Sequence, residues 1–599
     1  MHQLSGLDAM FINMEMQGFP MHVSSLSIYD PVTSKSKKLV FNNLLKLFAI
    51  KIKLNDLAIL RKRLITVPGN LDCPYWQEDK NFDIHSHVKH VALPEPNDWQ
   101  TLCSMVADIH AQPLRTDRPL WEAYVIEGLK NIEGIPPNAF ALMIKMHHSI
   151  MDGRTGLAIY SNLHSFTPDA HENLPYGNSA FGSMGNNLAS RNAESDVESD
   201  DNDDSLLIKL DSNPGVASLL NTAYINNIKK TANLAKLCGK GISLYSKVQW
   251  GLHTNKFKTL VKPKTRFNGT ISSRRNIDRL NIPLDSIRMI KDIFKPLTIN
   301  DVALTIIGGA LRKYLQTKVE LPLESLIAGI PVDPRASNDS ASSGAKVNFM
   351  NVALRTDVEV PIERLYAVYK EAQASKVFTQ ALGENLVNDV LENLYSNLVS
   401  GALKTVVDLG ILEKMPPINN TVVTNVRGYP CPMFIAGSRL IESFGMGPLI
   451  PNTGLFHTVT TCCDSLTIGI TVCQEMMKDT DFYIACLRES YQELLNGVIA
   501  YNNVKQGQST AVSNTILQER ATITAPIAMD EVIHPIDEIA HSQKSITLDK
   551  KNLPRQYSDG IRSTNGANRS NRSKKNTPKN GSFVHQEISA QPIILEAEG

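Results

Sequence analysis

Large apolar residues alternate with other residues along positions 140–147, and this is the clearest pattern in the chain. The apolar positions are Phe140, Leu142, Ile144 and Met146. A period of two predicts a β-strand with one buried face. Because successive side chains of a strand point to opposite faces, His148 would share the apolar face and His147 would share the face of Lys145. We therefore expect these adjacent histidines to have different surroundings and different roles.

A helix is predicted directly after this strand, over residues 154–164. Its apolar positions are Leu157, Tyr160 and Leu163. This spacing is typical of one buried helix face. Asp152 would then lie near the helix N-cap, and Gly153 would permit a tight turn from strand to helix.

Two further helices are predicted in the second half of the chain. Thr298 and Asp301 have the spacing of a capping box at the start of a helix that reaches about residue 315. Residues 215–256 have the pattern of a longer helix that carries both apolar and basic residues. These are Leu219, Leu220, Ile225, Ile228, Leu234 and Leu237, with Lys229, Lys230, Lys236, Lys240 and Lys247. Such a helix lies on an anionic membrane or packs on its parent domain, and the sequence leaves both interpretations open.

Two breaks in the pattern define the domain organisation. Positions 194–204 are strongly acidic, and the chain beyond about residue 505 is basic and lacks periodicity, so we expect both segments to be disordered. The predicted organisation is an N-terminal domain over 1–167, an acidic insert over 168–212, a crossover helix with a C-terminal domain over 213–505, and a basic tail over 506–599. A chain of 599 residues is expected to hold two large domains rather than one core.

The composition narrows the class of protein. With 42% hydrophobic and 20% charged residues, the chain has the balance of a soluble globular protein. Its net charge of +1 gives no support for a nucleic-acid partner. We expect no signal peptide, and no apolar run reaches the roughly 18 residues that span a bilayer. The eight cysteines have no regular spacing, which predicts reduced, mostly buried thiols in a cytoplasmic protein.

Candidate chemistry is concentrated at His147 and His148, which Asp152 and Gly153 follow closely. An imidazole is suited to moving protons near neutral pH because its unperturbed pKa is about 6.5. A histidine beside a buried strand also serves purely structural roles, and Asp-Gly is common in turns. The residues alone leave both interpretations open. The zinc-binding helix motif, with two histidines four residues apart and a glutamate between them, is not matched, so we predict no metal site.

The stretch His147-His148-Ser149-Ile150-Met151-Asp152-Gly153 resembles the HHxxxDG signature of the coenzyme-A-dependent acyltransferase superfamily. Other stretches resemble the bacterial wax ester synthase/diacylglycerol acyltransferase family. They are Leu4-Ser5-Gly6-Leu7-Asp8-Ala9-Met10-Phe11, Pro20-Met21-His22-Val23, Arg118-Pro119-Leu120-Trp121-Glu122, Thr298-Ile299-Asn300-Asp301-Val302 and Thr424-Asn425-Val426-Arg427-Gly428. The resemblance extends from about residue 4 to about residue 500, interrupted by the insert.

The resemblance implies an α/β fold, with two chloramphenicol-acetyltransferase-like domains of mixed sheets and an active-site tunnel between them. It also implies O-acyl transfer from long-chain acyl-CoA to diacylglycerol, a long-chain alcohol, or both, with acyl-CoA as a substrate and no cofactor. The partners would be these lipids and the surface of a membrane or lipid droplet. The expected location is the cytoplasm, peripherally on the inner face of the cell membrane or on lipid inclusions. Alternatives are a condensation-type acyltransferase with carrier-bound donors and a non-catalytic acyl-lipid-binding protein of the same fold.

The alternation of side chains across the strand and the resemblance together indicate His148 as the general base. His147 would set the geometry of the loop, and Asp152 would act as a structural anion. Arg61 or Arg63 would pair with Asp152, although a solvated surface arginine is an equally good interpretation of either. Ser149 is not part of a Gly-x-Ser-x-Gly elbow and is expected to be inert.

The resemblance also implies supporting and binding residues outside the motif. Pro119, Leu120 and Trp121 would shape the substrate pocket. Asn300 and Asp301 would support the site from the other domain, together with Gly153. Thr424 and Asn425 end a predicted strand and would meet a ligand.

Overall fold

The computed structural model describes much of the chain up to residue 505. The described residues are 1–31, 40–53, 57–150, 153–168, 215–254, 262–293, 295–332, 348–382, 386–426, 428 and 432–505. The acidic run at 194–204, the tail from 506 and Asp152 lie outside them, so the expectations for these positions stay predictions. Among the helices of the described ranges, none has both the length and the hydropathy needed to cross a bilayer.

The described elements alternate between strands and helices. The strands are β1 (His2–Gln3), β2 (His22–Asp30), β3 (Lys62–Ile65), β4 (Tyr75–Glu78), β5 (Val88–Ala92), β6 (Trp121–Glu127), β7 (Phe140–His147), β8 (Arg275–Pro283), β9 (Ile327–Val332), β10 (Asn348–Ala353), β11 (Thr421–Val426), β12 (Phe434–Ile435), β13 (Ser438–Met446), β14 (Leu455–Cys462) and β15 (Ser465–Cys473). The α-helices are α1 (Gly6–Met16), α2 (Val40–Lys53), α3 (Trp99–Ala111), α4 (Gly153–Leu163), α5 (Val216–His253), α6 (Leu284–Lys291), α7 (Ile299–Thr317), α8 (Pro361–Leu382), α9 (Leu386–Asn393), α10 (Ser396–Asp408), α11 (Ile411–Lys414) and α12 (Thr480–Lys505). The three helices expected from the sequence are thus confirmed as α4, α5 and α7.

The first large sheet has six strands in the order β12-β13-β2-β7-β6-β5. Strands β5 and β6 are parallel, and the other neighbours are antiparallel. Strands β12 and β13 belong to the predicted C-terminal domain, yet they complete the N-terminal sheet. The sequence division at residue 213 therefore does not separate the two sheets.

The second large sheet has the order β10-β9-β11-β14-β15-β8, in which only β11 is parallel to its neighbours β9 and β14. Helices α7 and α12 pack on each other beside this sheet and contribute to the largest apolar cluster. A small sheet, β1-β4-β3, lies apart from both. The predicted fold class, a mixed α/β protein with two sheet-rich domains, is confirmed.

Side chains from both halves interlock where the two large sheets meet. The Arg279 guanidinium on β8 pairs with Glu442 on β13 and lies 3.7 Å from the centre of the Trp99 ring. The Trp99 indole N–H donates to Asp278 Oδ1 at 2.8 Å. These contacts join α3, β8 and β13, so an ion pair, a cation–π contact and a hydrogen bond connect the two halves.

The core confirms the period-two prediction for β7. Phe140, Leu142, Ile144 and Met146 all belong to one apolar cluster. Ala141 and Met143 belong to another, on the opposite face with α3. The sequence pattern therefore fixed the orientation of this strand correctly.

Candidate active site

Backbone hydrogen bonds on both sides hold the end of β7, which carries the histidine motif. The His147 N–H donates to the Leu120 carbonyl oxygen at 3.0 Å, and the His148 N–H donates to the Met21 carbonyl oxygen at 2.9 Å. Leu120 directly precedes β6, and Met21 directly precedes β2. The two strands that flank β7 thus fix the main chain of both histidines.

His148 lies one residue beyond the end of β7 and is half-buried. Its imidazole stacks on the Phe11 ring of α1, with ring centroids 4.8 Å apart and 27° between the planes. Because both imidazole nitrogens lie in the ring plane, this stacking orients the ring without using either nitrogen. The stacking therefore holds the plane of the His148 ring.

His147 is buried, and protein groups face both of its ring nitrogens. The Ser149 backbone N–H lies 3.1 Å from Nδ1 and the Ser149 Oγ lies 2.6 Å from it. Because a backbone N–H can only donate, Nδ1 carries a lone pair and the ring proton of the neutral form is on Nε2. That nitrogen faces Glu15 Oε2 at 3.4 Å, within ion-pair distance but without hydrogen-bond geometry.

Ser149, His147 and Glu15 have the composition of a nucleophilic triad, but their geometry does not favour that role. His147 Nδ1 accepts both the Ser149 backbone N–H and, at 2.6 Å, the Ser149 hydroxyl, but Ser149 is only 8% exposed. A nucleophilic oxygen must also come within about 3–3.5 Å of the carbonyl carbon that it attacks. The arrangement is better explained as a tight turn that orients His147.

Glu15 is a site residue that the sequence did not reveal. It lies in the last turn of α1, and its Oε2 accepts the Met21 backbone N–H at 2.6 Å. Its side chain is 7% exposed, and a carboxylate is seldom buried without a partner. A possible signal was its place in an otherwise apolar helix end, between Met14 and Met16.

Two further buried histidines form a polar layer beside the motif. His22 is the β2 partner of His147, and its Nε2 donates to the His110 carbonyl oxygen at 2.5 Å. His110 Nε2 donates to the Gly447 carbonyl oxygen at 3.2 Å, and its Nδ1 accepts from Ser24 Oγ at 2.9 Å. Burial lowers the pKa of His22 well below its ordinary value and that of His110 to about 3. Both rings are therefore neutral near pH 7.

Lys145 is fully buried on the same face of β7 as His147, as the alternation of side chains along a strand predicts. Its Nζ donates to the Ile109 carbonyl oxygen at 2.9 Å and to that of Gln112. Both carbonyls lie at the C-terminal end of α3, where the helix dipole favours a cation. Burial lowers the pKa of Lys145 to about 8. The lysine thus ties α3 to the motif strand.

The Pro119-Leu120-Trp121 stretch packs against the motif strand. Trp121 is buried; its indole N–H donates to the Leu60 carbonyl oxygen at 2.8 Å, and its ring stacks on His87 with centroids 4.7 Å apart. Leu120 is also in the core and, as described above, accepts the His147 N–H. These contacts indicate a role in positioning the motif. The expected contribution to a substrate pocket stays a prediction.

The predicted pairing of an arginine with Asp152 falls partly outside the described residues. Arg61 Nη1 donates to the Ile52 carbonyl oxygen at 3.0 Å, and Nη2 lies 3.3 Å from Glu78 Oε1. Arg63 lies on β3 and is half-buried. Gly153 is the first residue of α4, as the predicted strand-to-helix turn requires.

The candidate residues of the second half lie at element ends. Asp301 forms the predicted capping box, in which its Oδ2 accepts the Thr298 N–H at 2.8 Å. Asn300, beside it, has a buried side-chain oxygen without a hydrogen-bond partner. Thr424 and Asn425 lie in β11, half-buried and exposed respectively. Their expected contacts with substrate stay predictions.

The cysteines only partly follow the expectation of reduced thiols. The free, buried ones are Cys73, Cys103, Cys462, Cys473 and Cys486. Burial raises the pKa of Cys462 to about 12, which makes it a poor nucleophile. Cys463 is disulfide-bonded, so the prediction is wrong at that position.

Sequence comparison places both halves of the chain in one family. A profile described as the wax ester synthase/diacylglycerol acyltransferase catalytic domain matches residues 4–303. The C-terminal domain profile of the same family matches residues 343–495. The chain belongs to the wax ester synthase/diacylglycerol acyltransferase family.

Individual relatives agree with this assignment. A Mycobacterium tuberculosis protein named as a candidate diacylglycerol O-acyltransferase is 28% identical over 497 residues, which cover 83% of this chain and 90% of the relative. The probable diacylglycerol O-acyltransferase tgs2 of the same organism is 26% identical over 501 residues, covering 82% and 98% of the two chains.

A solved structure supports the fold. The wax ester synthase/diacylglycerol acyltransferase from Marinobacter aquaeolei VT8 has a TM-score of 0.53 and 20% identity, with 83% of this chain and 99% of that chain covered. The protein is therefore an O-acyltransferase with the fold of its family, and the histidine motif is its candidate catalytic centre.

Proposed function

We propose that the enzyme transfers a long-chain fatty acyl group from acyl-CoA to diacylglycerol, to a long-chain alcohol, or to both. His148 is the general base of this reaction, and Asp152 with Gly153 supports the turn that carries it. The acyl donor is a substrate, and the reaction uses no cofactor. The alternative donor, a carrier-bound acyl group, has no specific support among the described contacts.

The observation that carries this proposal is the difference between the two motif histidines. His147 is buried, with Ser149 and Glu15 facing its nitrogens. His148 is half-buried and oriented by stacking on Phe11. A general base must come within hydrogen-bond distance of the proton that it removes. Of the two, only His148 has the accessibility that this requires.

The proposed reaction is a direct transfer. As the acceptor oxygen attacks the thioester carbonyl carbon, its hydroxyl proton moves to an imidazole nitrogen of His148. The carbon–sulfur bond then breaks, and His148 returns the proton to the departing coenzyme A sulfur. The ester and the thiol are the products, and the enzyme ends in its starting protonation state.

A direct transfer needs no acyl-enzyme, and the surroundings of Ser149 support this. Its hydroxyl is buried and donates to His147 Nδ1, which also accepts the Ser149 backbone N–H. A buried hydroxyl is poorly placed to reach the thioester carbonyl carbon of a bound substrate. Ser149→Ala is consequently a matched control for substitution of His148.

We also propose that the enzyme works peripherally, on the inner face of the cell membrane or on lipid inclusions. Diacylglycerol and long-chain alcohols carry acyl or alkyl chains that partition into lipid. An enzyme whose described helices do not cross a bilayer must reach such substrates from the lipid surface.

Turnover of radiolabelled palmitoyl-CoA with hexadecanol and with dioleoylglycerol tests the function. We expect neutral ester from the wild type and a loss of about 10²- to 10⁴-fold in His148→Ala, the usual contribution of a general base. Ser149→Ala should keep at least half of the wild-type rate. Circular dichroism of each variant controls for folding.

Other outcomes would contradict parts of the proposal. Wild-type turnover in folded His148→Ala would exclude His148 as the base. A loss in Ser149→Ala, together with a burst of coenzyme A release, would indicate an acyl-enzyme instead. Product formed only from a carrier-bound donor would favour the condensation-type alternative.

A further inference from the structure

The long helix α5 carries apolar side chains on two faces. On its inner face, Leu219 and Ala223 are buried and pack with Val67 and Tyr75. Its outer face also carries large apolar side chains, and these are exposed to solvent. They are Val216, Leu220, Tyr224, Ile225, Ile228 and Trp250. Of the apolar side chains predicted for this helix, therefore, only some pack on the parent domain.

The exposed side chains form a ridge along the helix. Val216, Leu220, Tyr224 and Ile228 are spaced by four residues, so each lies next to the following one. Trp250 lies about six turns beyond Ile228 and returns to the same side. Tyr224 is 68% exposed and Ile228 is 55% exposed. An exposed apolar ridge of this kind, from Val216 to Ile228, marks an interaction surface.

A buried ion pair fixes the direction in which the ridge faces. Lys230 Nζ lies 2.7 Å from Asp72 Oδ1, and Asn226 Nδ2 donates to Asp72 Oδ2 at 2.7 Å. All three side chains are buried. Lys230 thus does not belong to the exposed basic face expected from the sequence. The pair prevents α5 from rotating about its axis and turning the ridge inward.

The charge of α5 complements an anionic partner. The helix contains lysines but no aspartate or glutamate. Lys229 and Lys236 are exposed, and Lys229 lies one turn after Ile225 at the edge of the ridge. An apolar ridge bordered by lysines is typical of helices that lie in the interface of an anionic membrane.

The ridge is connected to the candidate catalytic centre. Thr231 Oγ1 on α5 lies 2.5 Å from Tyr395 Oη, directly before α10. Helix α10 packs on α1, which carries the Phe11 ring stacked on His148. A surface that binds at the ridge is thus linked to His148 through two packed helices.

We propose that the outer ridge of α5 docks the enzyme onto an anionic phospholipid surface. This inference rests on the proposed function, because that surface holds the lipid acceptors. The apolar ridge enters the boundary between the lipid headgroups and the acyl chains, and Lys229 and Lys236 contact the headgroups. Docking brings α10 and α1, and with them the catalytic centre, toward the source of the acceptor.

Flotation of the full chain with vesicles tests this proposal. The vesicles are phosphatidylcholine with or without phosphatidylglycerol. In Tyr224→Glu/Ile228→Glu we expect the vesicle-bound fraction to fall about tenfold or more, since two apolar side chains become carboxylates that an anionic surface repels. Lys229→Glu/Lys236→Glu should weaken binding strongly at low salt and less at high salt.

A matched control replaces two exposed apolar side chains that lie elsewhere. Met289→Glu/Leu323→Glu changes two such residues of the second half and should float as the wild type does. Undiminished flotation of both ridge variants would overturn the proposal. A change from dimer to monomer in the ridge variants, measured by sedimentation, would assign the ridge to contacts between copies and would also overturn it.

Turnover with detergent-dispersed hexadecanol separates this inference from the proposed function. The ridge variants should match the wild type there, because no lipid surface is needed. If they lose turnover in detergent as well, the ridge acts on folding or catalysis rather than on docking. If the wild type itself shows no turnover, the proposed function fails, while the flotation result still decides whether the ridge binds lipid.

Discussion

Glu15 Oε2 lies 3.4 Å from His147 Nε2 and at the same time accepts the Met21 backbone N–H at 2.6 Å. The carbonyl oxygen of Met21 in turn accepts the N–H of His148. One buried carboxylate therefore connects the side chain of the first motif histidine to the main chain of the second. A shift of Glu15 would change the position of both.

Glu15→Ala should impair turnover more than Glu15→Gln does. The glutamine keeps an oxygen that accepts the Met21 N–H, whereas alanine removes both that acceptor and the charge facing His147. We expect kcat to fall by about tenfold to a hundredfold in Glu15→Ala, with little change in KM, because a misplaced base slows the chemical step. Steady-state kinetics with palmitoyl-CoA measure this. Equal rates in the wild type and both variants would exclude a positioning role.

Gly6→Ala should destabilise the contact between α1 and α9. A Cβ at Gly6 would overlap the Leu391 carbonyl oxygen, so the helices would have to separate, at a cost of about 1–3 kcal/mol of unfolding free energy. Gly401→Ala is the matched control, because a Cβ at this helical position meets no other atom within 4 Å. It should raise the unfolding free energy by about 0.5–1 kcal/mol. Urea denaturation distinguishes the two, and similar effects would contradict the close packing.

Trp121→Phe should destabilise the protein because it removes a buried hydrogen bond and part of a buried ring. The phenyl ring can still stack on His87, but the buried Leu60 carbonyl oxygen loses its donor. We expect a loss of about 1–3 kcal/mol of unfolding free energy. Trp250→Phe, at an exposed position, should change it by less than about 0.5 kcal/mol. No difference between the two variants in urea denaturation would show that the indole bond is unimportant.

Buried His110 should make the protein sensitive to acid. Its pKa is about 3 in the folded protein and about 6.5 in the unfolded chain. Between these values the unfolded chain binds more protons, so this stability is present above about pH 6.5 and is lost as the pH falls. At about pH 5 the loss from this one group is about 2 kcal/mol.

His110→Gln is the variant that tests this effect. Its amide can still accept from Ser24 and donate to Gly447, the two contacts of the His110 ring. The fall in unfolding free energy between about pH 7 and pH 5 should be smaller in this variant by about 2 kcal/mol. Urea denaturation at several pH values measures it. The same pH dependence in both proteins would show that folding does not lower the pKa of His110.

The sequence alone determined several elements and the resemblance to the family. The period of two along β7 and the helical spacings of α4, α5 and α7 come from local side-chain burial, which repeats along the chain. The capping box of Thr298 and Asp301 involves residues three positions apart, so it could also be predicted from the sequence. The motif around His147 and His148 resembled the family to which the chain belongs.

Only the tertiary structure decided which distant residues meet. Glu15 faces His147, Asp72 binds Lys230, and β13 crosses into the first sheet beside β2. The partners in these contacts are far apart in the chain, and each buried charge is stabilised by one specific neighbour rather than by a repeating pattern. The same reason explains why the sequence left the two interpretations of α5 open. A helical period shows which residues share a face, but the neighbouring elements decide which faces are covered.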